Sequence, residues 1–195
     1  MREVTIKAFG IRELNEKAQA RVLQDYVDIN VTGDWYSPII EGFKENMESY
    51  GVDAEPYFSG FWSQGDGACF ISNTLDTDKL VRSLYEEGYD IPEDALLYSG
   101  DYSLNIQKIN NHYDHENTVE ARYYDGEQIS ASRVGREDSE KLEQVVTDWV
   151  RERSRNLYRD LEKYYTELTT DESIMETLEE NEYLFTESGK LIVTN

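Results

Sequence analysis

Cysteine is nearly missing from this chain: Cys69 stands alone among 195 residues. An internal disulfide and a thiolate metal cluster are therefore excluded, and a reducing compartment such as the cytoplasm is expected. Histidine occurs twice and proline three times. With so little proline and no low-complexity tract, disorder is not expected despite the charge. Basic residues are also few, 19 against 41 acidic ones, for a formal net charge of −22. That field repels phosphates, so DNA or RNA binding by general electrostatic attraction is excluded. No apolar run approaches the about 18 residues of a membrane span. The opening MREVTIKAFG lacks the apolar segment of a signal peptide. Neither membrane insertion nor secretion is expected.

Apolar residues make up 38% of the chain, but 15 Tyr, 6 Phe and 3 Trp supply large buriable areas. A single α+β domain over residues 1–195 is expected, with 136–195 as its helical C-terminal part. Val4–Phe9 reads as a short strand. Asn15 opens a helix with Leu14, Ala18, Val22, Leu23, Tyr26 and Val27 on one face. Asp34 is a candidate N-cap for a second helix striped by Trp35, Ile39, Ile40, Phe43, Met47 and Tyr50. Gly51 would close that helix. The two helices are expected to pair antiparallel.

Glu55–Trp62 and Ala68–Ser72 are aromatic, β-prone runs around the turn Ser63-Gln64-Gly65-Asp66-Gly67. A helix over Thr77–Glu87 would turn Leu80, Val81, Leu84 and Tyr85 inward and stop at Gly88. Asp101–Ile109 and Val119–Tyr124 alternate as half-buried antiparallel strands, and Asp125-Gly126 leads into Gln128–Ser132. From about Asp138 to Leu168 the pattern predicts one amphipathic helix of about 45 Å. A short helix from Asp171 or Ser173 and a hairpin over Tyr183–Val193 complete the chain. The expected architecture is a small antiparallel sheet packed by helices, with that long C-terminal helix and a terminal hairpin.

The run from Tyr57 to Phe70, YFSGFWSQGDGACF, resembles a family of small acidic proteins encoded by bacteriophages and prophages. Leu157–Tyr165 (LYRDLEKYY), Asn181–Gly189 (NEYLFTESG) and the Leu14–Val27 helix are similar to the same family. The resemblance implies a phage context and hence a host-cell cytoplasm. Some members carry the label of an antitoxin in a toxin–antitoxin stability system. No catalytic residues come with it.

Three groups of residues are candidate sites. In the first, Trp62, Ser63, Gln64, Gly65, Asp66 and Gly67 form a glycine loop that could hold a ligand. Its freed amides would face an anion, Asp66 a ribose hydroxyl, and Trp62, Phe61 or Tyr57 a base, with Arg122 or Lys108 supplying positive charge. The same residues also describe a plain hairpin turn, and the spacing is not that of a phosphate loop. In the second, His112 and His115 with Asp66, Asp101 or Glu116 have the composition of a two-His, one-carboxylate metal site. A solvated loop is the simpler reading, and no metal or other cofactor is expected. Cys69 sits in an aromatic strand and reads as a small buried hydrophobe. No nucleophile motif is present, so the chain is not expected to be an enzyme.

The third group is acidic. Glu41, Glu45 and Glu48 share a helix face, and Asp171, Glu172, Glu176, Glu179 and Glu180 lie in a stretch without one Lys or Arg. Such rows could stand in for DNA phosphates, although the acid composition of salt-adapted organisms would look the same. Arg151, Arg153, Arg155 and Arg159 are expected to pair with acids of their own helix. Together these features favour an inhibitor that binds a host defence or nucleic-acid-handling protein. A sponge for a small nucleotide immune signal and an antitoxin against a basic toxin are the alternatives. The long helix could also serve a homodimer, if it is not simply a core element.

Overall fold

The alternation of Leu104, Ile106 and their polar neighbours places β-structure in the middle of the chain, and the computed structural model has it there. It describes residues 7–101, 103–123 and 135–193. Its elements are α1 (Glu16–Asp25), α2 (Ser37–Ser49), β1 (Glu55–Phe58), β2 (Ala68–Ile71), α3 (Thr77–Glu86) and α4 (Glu93–Leu97). They continue with β3 (Leu104–Lys108), β4 (Val119–Tyr123), α5 (Arg136–Leu168) and α6 (Asp171–Glu180). The protein is α+β. The expected strand residues 4–6, Tyr102, Tyr124, the Asp125-Gly126 turn and Gln128–Ser132 lie outside the described residues. The chain divides into two compact units, Ser37–Glu162 and Met1–Tyr36 with Lys163–Asn195.

In the larger unit β1 and β2 run antiparallel, with Glu55 opposite Ile71 and Phe58 opposite Ala68. The pair stops at Phe58 rather than Trp62, because Gly60 and Trp62 both take positive φ and cannot continue a ladder. β3 and β4 are antiparallel too, Leu104 opposite Tyr123 and Lys108 opposite Val119. Ser72 and Ile106 exchange two backbone hydrogen bonds of 2.9 Å, joining one two-stranded sheet to the other. Helices cover them: Met47 of α2, Leu80 and Leu84 of α3, and Leu142, Val146, Trp149 and Val150 of α5 meet Phe70 and Ile106 in one core. Asp76 caps α3, its carboxylate accepting from the Lys79 N–H at 3.0 Å. Tyr85 is 55% exposed rather than inward. It lies at the edge of the Thr77–Leu80–Val81–Leu84 stripe, and its long polar-tipped ring turns to water.

In the smaller unit Ile11, Ala18 and Val22 pack with Ile174 and Leu178 of α6 and with Phe185. Asn15 caps α1 as expected, accepting from the Ala18 N–H at 3.1 Å. Val27 is 44% exposed, since α1 ends at Asp25 and the stripe does not reach it. The terminal hairpin closes with Phe185 bridged to Leu191 on one side and to Phe9 on the other. Trp35 is not part of the α2 stripe. The helix begins two residues later at Ser37, with Pro38 in its first turn, where proline's missing N–H costs nothing. Trp35 instead packs on Tyr164 and Tyr165, at centroid distances of 6.2 and 5.5 Å. Asp34, three residues before α2, accepts from the Tyr36 hydroxyl at 3.3 Å.

Candidate functional site

The loop between β1 and β2 is built by its own polar groups. The Ser59 N–H donates to the Gly67 carbonyl at 3.2 Å, extending the pairing by one step. Beyond it, the Asp66 N–H reaches the Ser63 carbonyl at 3.1 Å, and the Ser63 N–H reaches Asp66 Oδ2 at 2.7 Å. Asp66 thus holds the turn it belongs to. The two glycines answer to space. A Cβ on Gly65 would lie 2.8 Å from the Tyr113 ring, and one on Gly67 would lie 2.3 Å from His115 Cβ. Both make room for the loop between β3 and β4. Gln64 is exposed.

Aromatic rings gather on the near side of this loop. The Phe61 ring stands 5.5 Å from Trp62, 5.5 Å from Tyr158 of α5 and 6.4 Å from Phe58. Trp62 sits at φ +68° with 71% of its surface exposed. Burial, then Glu162 and Asp66, raise the Tyr158 hydroxyl above its ordinary value.

The histidine loop is tied down by other means. Lys108 forms an ion pair with Asp114, and its ammonium lies 4.3 Å above the Tyr57 ring. The Tyr57 hydroxyl donates to Glu55 at 2.5 Å, which pushes its pKa up to about 12. His115 Nδ1 accepts from the Asn117 N–H at 3.1 Å, and His112 donates its own N–H to Asn110 at 2.8 Å. Among the described residues no group of three or more His, Cys, Asp or Glu is placed to hold a metal ion. Cys69 is fully buried, and desolvation raises its thiol pKa, which lowers its reactivity. Arg122 is engaged by Glu120 through contacts of 2.5 and 3.0 Å.

The acidic residues divide into compensated and uncompensated ones. Arg12 reaches Glu172 at 2.6 Å and Glu179 at 2.9 Å, and its guanidinium holds the Glu172 carboxyl below the usual range. Asp171, Glu176 and Glu180 of α6 are exposed and form no ion pair among the described residues. Glu41, Glu45 and Glu48 of α2 are likewise exposed, again without an ion pair among the described residues. Arg12 lies 160 residues before Glu172, so chain-local reading of the acidic stretch missed it. Arg153 also departs from the expected intrahelical pairing. It leaves α5 to meet Glu87 at 3.1 Å and the Tyr50 hydroxyl at 3.2 Å.

Sequence reading missed a polar cavity of about 630 Å³, lined in part by Asn73, Asp76, Asp78, Ser103 and Asn105. Asp78 there is taken up by Arg82 and Ser99, while the buried Asn105 Oδ1 makes no hydrogen bond among the described residues. Nothing in an isolated strand pattern marks such a hollow.

The fold and site define an acidic α+β protein with exposed carboxylate rows and an aromatic loop. The chain belongs to the family DUF8835, a domain of unknown function, whose model matches residues 35–171. The match takes in the whole of the Ser37–Glu162 unit, and with it the aromatic loop and the α2 carboxylates. No curated protein and no solved structure matches the chain. Among the described residues no helix is long and apolar enough to cross a membrane.

Proposed function

We propose that the protein is a phage-encoded, non-catalytic inhibitor of a host defence or nucleic-acid-handling protein, acting in the host cytoplasm by placing carboxylates where DNA phosphates would lie. The observation that carries this reading is the α2 row of Glu41, Glu45 and Glu48, exposed and without an ion pair among the described residues. At 1.5 Å rise per residue the row presents about one charge per 5 Å, against about one per 3.4 Å along a DNA strand. Like charges three and four residues apart destabilise a helix, so the row costs stability without a folding benefit. The net charge of −22 would speed encounter with a basic partner.

A nucleotide sponge draws less support. The glycines of the loop are filled by Tyr113 and His115, and Lys108 and Arg122 already hold carboxylates. An antitoxin would use the same charge against a basic toxin, and a toxin gene beside this one would favour it.

The test is a pull-down from host lysate at low and at about 0.5 M salt, with wild type and with Glu41, Glu45 and Glu48 changed to Lys. The expected result is a stoichiometric partner that leaves at high salt, is lost with the variant, and is displaced from DNA by the wild-type protein. A partner held equally at both salts and by both proteins would overturn charge mimicry.

A further inference from the structure

The Trp62 backbone is in a conformation that bulky side chains avoid, and burial does not repay it, because 71% of the residue faces water. Glycine or asparagine would make this turn with less strain. Strain of this kind gathers at sites that present a group to a ligand. What surrounds Trp62 says which ligand. Phe61 lies against it and Tyr158 lies against Phe61 in turn, a run of rings whose quadrupoles attract cations. Asp66 is fixed beside the same backbone by the Ser63 N–H, its Oδ2 3.8 Å from where a Gly60 Cβ would stand. Glu162 follows Tyr158 by one turn on α5, the spacing at which helix side chains meet. After burial, both carboxylates raise the Tyr158 hydroxyl above its ordinary value.

We propose that Trp62, Phe61 and Tyr158, edged by Asp66 and Glu162, form a clasp for an arginine side chain on a basic segment of the partner protein. A guanidinium is the better fit over an ammonium, since its flat face stacks on indole while its edge donates to a carboxylate. The inference rests on the reading that the partner is basic, and adds the anchor that charge alone does not provide. Carboxylate rows give a fast, salt-sensitive encounter; a stacked guanidinium fixes where the segment docks.

The probe is an arginine nonapeptide, titrated into the full chain at about 0.15 M salt and followed by calorimetry and tryptophan fluorescence. Trp149 is buried and Trp35 is half-buried against Tyr164 and Tyr165, which leaves the exposed Trp62 best placed to report. Binding is expected to weaken about five- to ten-fold in Trp62→Ala. It should fall less in Trp62→Phe, which keeps a ring, and also drop in Glu162→Gln. Peptide-induced quenching should vanish in Trp62→Ala. Equal affinity for wild type and Trp62→Ala, still salt-sensitive, would overturn the clasp and leave the acidic-face reading standing. No binding by wild type would overturn the clasp as well. The acidic-face reading fails by its own result, a partner indifferent to salt and to charge reversal on α2.

Discussion

What Gly67 is for is set by space rather than by backbone angle. A methyl there would meet His115 Cβ at 2.3 Å and His115 Cα at 2.8 Å, and the second of these is main chain that cannot rotate aside. Gly67→Ala should therefore cost about 2 kcal/mol or more, as overpacking does. Gly100→Ala, with nothing within 4 Å of the added methyl, should change stability little. Urea midpoints of the two variants decide it, and equal midpoints would mean that the two loops are not pressed together. Tyr57 offers a second test at this scale. Glu55 accepts its proton, and the phenol pKa is pushed up to about 12 from the ordinary value near 10. Since the folded-state value is the higher one, the neutral phenol's contribution is fully present below about pH 10 and is lost as pH climbs toward 12. Absorbance titration near 295 nm should show a late-ionising tyrosine that disappears in Tyr57→Phe. In Glu55→Gln it should move back toward 10.

At the scale of elements, caps and stripes decide where each helix begins and what it covers. Asn15→Ala removes the acceptor for the Ala18 N–H and should cost about 1 kcal/mol. Leu178→Ala empties a fully buried position between α6 and α1 and should cost about 2–4 kcal/mol. If thermal unfolding shows the cap variant to be the more damaged, the apolar packing of that unit has been overrated. Asn15 was legible as a helix start because a short polar side chain before an apolar period has few other uses. The pairing of the Glu55 and Ala68 strands was legible from the glycines between them. α4 was not, since five residues make too little of a period to see. The start of α2 was misplaced because Trp35 fits the stripe by spacing, while its actual neighbours, Tyr164 and Tyr165, are far along the chain. Of the candidate site, the glycine loop could be seen, but not that Tyr113 and His115 fill it. The Arg12 clip on Glu172 and Glu179 is long-range too, and no local pattern announces it.

For the whole molecule the question is whether the charge of −22 is ballast or apparatus. A merely solubilising surface would spread its acids and pair them, and part of this one does: Arg12, Arg82, Arg122 and Arg136 each hold a carboxylate. The α2 row does not, and its two like-charge spacings, 41 to 45 and 45 to 48, should each destabilise the helix by about 0.2–0.5 kcal/mol at low salt. Changing Glu41, Glu45 and Glu48 together to Gln should therefore raise the melting temperature at low ionic strength. Added salt, which screens the same repulsion, should shrink the difference. A surface retained for stability would respond the other way, falling when neutralised. If α2 is the proposed interface, the same triple variant should bind the proposed partner less well, so that stability and binding move in opposite directions. That opposition is what distinguishes a face selected for a partner from one that only keeps the chain in solution. A variant that melts lower than wild type would assign the carboxylates to the fold and remove α2 from the proposed interface.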